Sequence, residues 1–253
     1  MGLDTCRPCH RLADVHRTHP GQPLRGFVEV KRLLTFQSFD IVHLHEPMMP
    51  ALPLTVLHHS PTINVGTFHA FKEGGNRFYE YTTALTRRWF RKLEGKIAVS
   101  PAAAGLITRY FAGYFNIIPN GIDYAHFAGP SEPLPEFMDG RFNILFVGRP
   151  EKRKGLKFLL RAYLLIRRVE PNCRLIVVGA GDFSRYENLF RTFDDVVFRT
   201  NVPFAEIPRY HHSAHAFCSP ATGNESQGIA LLEAMAADAG FHRGRKVRNE
   251  RLL

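Results

Sequence analysis

Short apolar runs, each followed by a stretch of helical periodicity, recur along this chain, and that alternation constrains its fold more than any other feature. DIVHLHEP (40–47), TINVGTFHA, KIAVS, NILFVG, RLIVVG, DVVFRT and HAFCSP are β-branched or apolar and close on proline, glycine or a polar residue, the signature of short strands. Helical patterns lie between them at 76–94, at 101–111, in KGLKFLLRAYLLIRRV, near 183–192, in EIPRYHHSA and after GNESQG, and RGFVEVKRLLTF forms an amphipathic helix before the first strand. Strands apolar on both faces and alternating with helices predict an α/β fold built on parallel sheets covered on two sides.

The rhythm breaks once. Pro119, Gly121, Pro130, Pro133 and Pro135 crowd a stretch with little periodicity, which reads as a linker over 119–141. The expected organisation is an irregular segment at 1–24, a first Rossmann-like domain at 25–118, the linker, a second Rossmann-like domain at 142–237 and a basic tail at 238–253. The two domains are expected to face a cleft. After GNESQGIALLEAMAA the chain continues as DAGFHRGRKVRNERLL, poor in apolar residues. A truncation or reading-frame change near Asp238, a displaced start, incomplete domains at both ends and a disordered tail are therefore expected.

Composition excludes several classes. A chain of 253 residues that is 45% hydrophobic can bury a sizeable core. No run approaches the roughly 20 apolar residues that span a bilayer, and the first residues lack the apolar centre of a secretory signal, so the cytoplasm is the expected location. Four scattered cysteines do not make a disulfide framework. CRPCH (6–10) matches a haem-attachment spacing without an export signal and reads as chance. A formal net charge of +10 calls for an anionic partner: nucleic acid, an anionic membrane or a phosphorylated ligand. The basic residues are spread along the chain rather than gathered in a tract, which disfavours nucleic acid.

Two segments carry candidate chemistry. In LFVGRPEKRKG the strand ends at Gly148, and ligands of open parallel sheets bind beyond the carboxyl ends of strands. Arg149 and Lys154 would neutralise a diphosphate there; the plainer reading is a solvated basic turn. In SPATGNESQGIALLEAMAA, Gly228 opens a helix whose free N–H groups and dipole favour phosphate oxygens. Glu225 precedes that helix and Glu233 lies eight positions further on, inside it. Carboxylates beside a phosphate suit sugar or ribose hydroxyls; the plainer reading makes Glu225 a helix cap and Glu233 a surface residue. GAGD after RLIVVG lacks the third glycine of a dinucleotide fingerprint, so a dehydrogenase is not expected.

ESxGIxLLEAMA, with HLHEP, GTFHA, KIAVSPAA, IIPNGID, FVGRPEKRKG, RLIVVGAGD and IPRYHHSAHAFCSPATG in order, resembles the retaining family-4 glycosyltransferases of the GT-B fold over roughly residues 25–237, bacterial phosphatidylinositol mannosyltransferases above all. The resemblance implies that Arg149 and Lys154 hold the donor diphosphate with the amides of Gly228 and Ile229, that Glu225 contacts the sugar and Glu233 the ribose, and that Gly179 lines the donor pocket. It implies that His69 lies in the catalytic centre; alone, a strand-end histidine reads as a polar cap. A metal-independent transfer through oxocarbenium-like charge is implied, with no cofactor, and no DxD-like motif is present.

The expected reaction moves a hexose, mannose, from a nucleotide-diphosphate sugar to an acceptor such as a phosphoinositide lipid, at the inner face of the cell membrane. Lys31 and Arg32 would touch anionic lipid there, or simply form a solvated helix face. The alternatives are a non-catalytic nucleotide-sugar-binding remnant and a basic nucleic-acid-binding protein. Three departures from the family pattern stand out: no glycine-rich opening loop, Gln227 where relatives often have an aromatic residue, and His215 where aspartate is usual.

Overall fold

The computed structural model describes residues 23–237, with side chains from Glu29 onward. The CRPCH motif and the basic tail lie outside the described residues. The first part runs α1 (Pro23–Phe36), β1 (Ile41–His45), α2 (Leu52–His59), β2 (Ile63–Phe68), α3 (Arg77–Phe90), β3 (Leu93–Ala98), α4 (Pro101–Ile107) and β4 (Asn116–Ile117). The four strands form one sheet in chain order, with β1 parallel to β2 and β3 parallel to β4. After α5 (Tyr124–Ala128) come β5 (Phe142–Val147), α6 (Leu156–Val169), β6 (Cys173–Gly179), α7 (Ser184–Phe190), β7 (Val196–Thr200), α8 (Ile207–His212), β8 (Ala216–Phe217) and α9 (Ile229–Ala236). This second sheet is parallel, ordered β7-β6-β5-β8. Two compact units can be told apart, one holding the described residues up to Thr67 with Tyr81–Lys96, the other Phe68–Glu80 with Ile97 onward.

The second sheet explains its own sequence. Successive residues of β5 and β6 are buried on opposite faces. Ile144, Phe146, Leu175 and Val177 pack with Leu156, Leu159, Leu160 and Tyr163 of α6. Leu145, Ile176 and Val178 pack with Tyr210 of α8, Phe217 of β8 and Ala234 of α9. Both faces are therefore core, which is why these strands read as unbroken apolar runs. Several polar groups inside this core are satisfied locally. The Asn143 amide donates to the carbonyls of Phe137 at 2.6 Å and Ser213 at 2.9 Å. The Tyr163 hydroxyl donates to Asp195 Oδ2 at 2.9 Å, and Arg167 pairs with the same carboxylate at 2.8 Å, fastening α6 to the start of β7.

Several details differ from the periodicity. Helix α2 sits in PMMPALPLTVLHH, where prolines and an apolar surround hide the helical period; a proline in its first turn fits because that N–H has no intrahelical partner. Strand β3 begins at Leu93, three residues before KIAVS, and α4 ends at Ile107. The segment 119–141 is not featureless: Asp123 caps α5 by accepting from the His126 N–H at 3.0 Å, and Pro135–Phe137 forms a short 3-10 turn. His215 has a structural account. Its Nδ1 accepts from the Asn143 N–H at 3.0 Å and its ring stacks on Phe142, so it supplies an acceptor, as an aspartate at this position could.

Candidate functional site at the β5–β8 switch point

A sheet ordered β7-β6-β5-β8 reverses its winding direction between β5 and β8, and the crevice beyond their carboxyl ends is where open α/β sheets bind ligands. Three loops converge there. Thr222 N–H donates to the Arg153 carbonyl at 2.9 Å, joining the loop after β8 to the loop after β5. Gly155, at φ 73°, lies so close to Pro220 that a Cβ would stand 1.9 Å from its carbonyl oxygen. Gly179 at the end of β6 is equally tight, since a Cβ there would stand 2.1 Å from the Gly148 carbonyl oxygen. Only glycine permits these backbone approaches.

The charged side chains form one chain of contacts. Lys154 Nζ lies 2.7 Å and Arg153 Nη1 3.3 Å from Glu225 Oε2. Arg153 Nε lies 2.6 Å from Glu151 Oε2, and Arg149 Nη2 lies 3.0 Å from Glu151 Oε1. Three cations thus share two carboxylates, leaving one positive charge in excess. Glu225 and Lys154 are largely withdrawn from solvent, at 19% and 23% side-chain exposure, whereas Arg149 is 63% exposed. Attraction within the inner pair is screened much less than in the outer one.

Gly228, at φ 73°, caps α9, and its carbonyl accepts from Leu231 N–H at 2.9 Å. Ile229 is the first residue of α9. The amides of Ile229 and Ala230, the first two of this helix, precede any acceptor within it and lie at its positive dipole end. Glu233 sits half-buried further along α9; desolvation pushes its carboxyl above the usual range, and the nearby His126 pulls it partly back.

The expected residues divide as follows. Glu225 and Lys154 are in direct contact, and Arg149 reaches them through Glu151 and Arg153. Gly228 and Ile229 follow three and four positions after Glu225, at the helix start, and Gly179 abuts Gly148. His69 is half-buried directly after β2, in a loop whose Glu73 N–H donates to Asn224 Oδ1 at 3.2 Å, next to Glu225 in sequence. Lys31 and Arg32 are exposed on α1, in the other compact unit. Sequence reasoning missed Glu151 and Arg153, which looked like members of an ordinary surface run.

It also missed a clamp. The Gln227 side chain accepts from Asn120 N–H and donates to Asn120 O, both at 2.7 Å, pinning the segment before α5 to the loop that carries Glu225. The departure from an aromatic residue at position 227 was the available signal.

Comparison with known proteins identifies the family. The family described as Glycosyltransferase Family 4 matches residues 4–126, and the family described as Glycosyl transferases group 1 matches residues 141–239. A phosphatidyl-myo-inositol mannosyltransferase of Mycobacterium tuberculosis is 34% identical over 211 residues, covering 83% of this chain and 55% of that protein. Its counterpart in Mycolicibacterium smegmatis is 33% identical over 213 residues, covering 83% of this chain and 54% of that protein. The chain thus spans about half the length of these curated relatives. Among solved structures, sucrose-phosphate synthase from Thermosynechococcus elongatus superposes with a TM-score of 0.66 at 19% identity over 83% of this chain and 57% of that one, a likeness of fold. With both family matches falling on successive Rossmann-like halves, the chain belongs to the family-4 glycosyltransferases of the GT-B type.

Proposed function

We propose that this protein transfers a mannosyl group from a nucleotide-diphosphate sugar, GDP-mannose, to a phosphoinositide lipid, with retention of configuration. The observation that carries the reading is the Lys154–Glu225–Arg153 cluster at the switch point, beside the first turn of α9. The names of the mannosyltransferase relatives support the choice of sugar and acceptor.

In this proposal Arg149, Lys154 and the amides of Gly228 and Ile229 neutralise the donor diphosphate. Charge develops on the leaving phosphate oxygen as the bond to the anomeric carbon breaks, and preorganised cations and dipoles stabilise it without reorganising. Glu225 leaves its cations and accepts from sugar hydroxyls, and Glu233 accepts from the ribose. Gly179, by letting the end of β6 close against Gly148, shapes the edge of the nucleotide pocket, and His69 faces the transferred sugar. The acceptor oxygen forms the new bond to the anomeric carbon, and its proton passes to the departing diphosphate. No divalent cation or other cofactor takes part, and Lys31 and Arg32 of α1 touch the anionic inner face of the cell membrane.

Calorimetry with GDP-mannose and UDP-glucose tests the donor, and transfer of labelled mannose to phosphatidylinositol, with and without EDTA, tests the reaction. Donor binding without transfer would make the chain a nucleotide-sugar-binding remnant. Failure to bind either nucleotide sugar would remove the proposal.

A further inference from the structure

Helix α6 buries one face in the core of the second sheet but leaves a second apolar stripe uncovered. Phe158, Ala162, Leu165 and Val169 recur at helical spacing and fall within an arc of roughly 60°; Phe158, Leu165 and Val169 are 54%, 62% and 79% exposed. Lys157, Arg161 and Arg168 line one flank of this stripe and are all exposed. Beyond that flank, α6 and α7 border a groove of about 1020 Å³ whose floor includes Leu160 and Phe190 and whose rim includes Lys152, Lys157, Arg161 and Arg185. Leu189 on α7 adds another apolar side chain, 66% exposed.

Large apolar side chains left in water beside a row of cations are the pattern of a surface that lies on an anionic lipid interface. The apolar stripe enters the acyl boundary while lysine and arginine stems extend to the phosphates. We infer that the exposed face of α6, with the α6–α7 groove beside it, docks on an anionic phospholipid membrane. Charge complementarity selects this occupant. Glu151, at the rim, is already engaged by Arg149 and Arg153. A second copy of this chain seated symmetrically on the same face would bring its arginines and lysines against identical ones. The inference does not depend on the sugar-transfer reading, and it names a different surface from the Lys31–Arg32 face of α1.

The purified chain is tested by flotation with phosphatidylglycerol-containing vesicles against pure phosphatidylcholine vesicles. Binding is expected only to the former and should weaken with added salt. Lys157→Gln and Arg161→Gln should each lower partitioning by roughly fivefold, and Phe158→Ser by roughly tenfold. Both kinds of variant should keep their circular dichroism and nucleotide diphosphate affinity, because these side chains are exposed and take no part in the ion pairs of the donor cluster. Indifference to phosphatidylglycerol would overturn the inference. So would a loss confined to Lys31→Gln and Arg32→Gln, or a chain whose self-association, read by light scattering, is abolished by the same α6 substitutions.

Discussion

Lys154 and Glu225, 71 residues apart in the chain, meet at 2.7 Å in the loop that leads into α9. In the proposed reaction the lysine assigned to the donor diphosphate is thus paired with the carboxylate assigned to the sugar. Lys154→Ala removes a cation from the diphosphate site and should weaken GDP binding by about 1.5–3 kcal/mol, the worth of a charge-assisted hydrogen bond. Glu225→Gln removes the competing anion and should leave GDP affinity equal or higher while depressing sugar transfer. Calorimetry with GDP beside a transfer assay separates the two effects; parallel losses in both variants would contradict the exchange.

Gly155 and Gly179 hold the site's loops against each other. Gly155→Ala forces a side chain into a left-handed conformation, costing about 1–2 kcal/mol, before any clash with Pro220 is counted. Gly179→Ala meets the Gly148 carbonyl and should also destabilise. Gly121→Ala, with nothing within 4 Å of the added methyl, is the control and should be close to neutral. Urea unfolding of the three variants checks the order.

His211 gives the protein an acid limit. The ring is fully buried between Phe127 and Phe217, and neither nitrogen has a partner among the described residues. Desolvation, with the neighbouring His212, lowers its pKa from 6.5 to about 4. The unfolded chain therefore binds the proton first as pH falls. The contribution of His211 to stability is therefore expected to be full above pH 6.5 and to fall by up to about 3 kcal/mol between there and about pH 4. His211→Leu should flatten this part of the stability–pH curve, measured by urea unfolding; an unchanged slope would exclude His211 as its source.

The Gln227 clamp predicts a local signature. Gln227→Leu removes both hydrogen bonds to Asn120 and should speed hydrogen exchange at the Asn120 amide. Gln227→Glu keeps the acceptor and should retain that protection while losing the bond to the Asn120 carbonyl. Mass spectrometry at peptide resolution checks both. Since Gln227 lies between Glu225 and Gly228, nucleotide affinity should fall with the leucine variant.

The second sheet was legible because its strands are buried on both faces, so NILFVG and RLIVVG carry their burial in their composition. Helix α9 was legible for another reason: a glycine before a strongly helical run has few structural meanings. What escaped was set by tertiary contact. Prolines masked α2, and β4 is two residues long, too short for any alternation. Within the site, residue types pointed to Arg149, Lys154 and Glu225. Nothing in EKRK distinguishes Arg153, which bridges two carboxylates, from Lys152, which is exposed. That difference comes from the turn over Lys152–Lys154, which aims successive side chains in different directions.

The two-residue strand β8 has a mechanical consequence. Only Ala216 and Phe217 are registered against β5, so the ten residues between Phe217 and Gly228 are held by few ladder bonds. Glu225 is placed by the contacts of its own loop rather than by the sheet. In the proposed reaction a bare phosphate ion would displace this carboxylate and give it nothing in exchange, whereas a sugar nucleotide brings hydroxyls to receive it. On the proposed roles of these residues, a free phosphate ion is accordingly expected to bind the cluster more weakly than a sugar nucleotide.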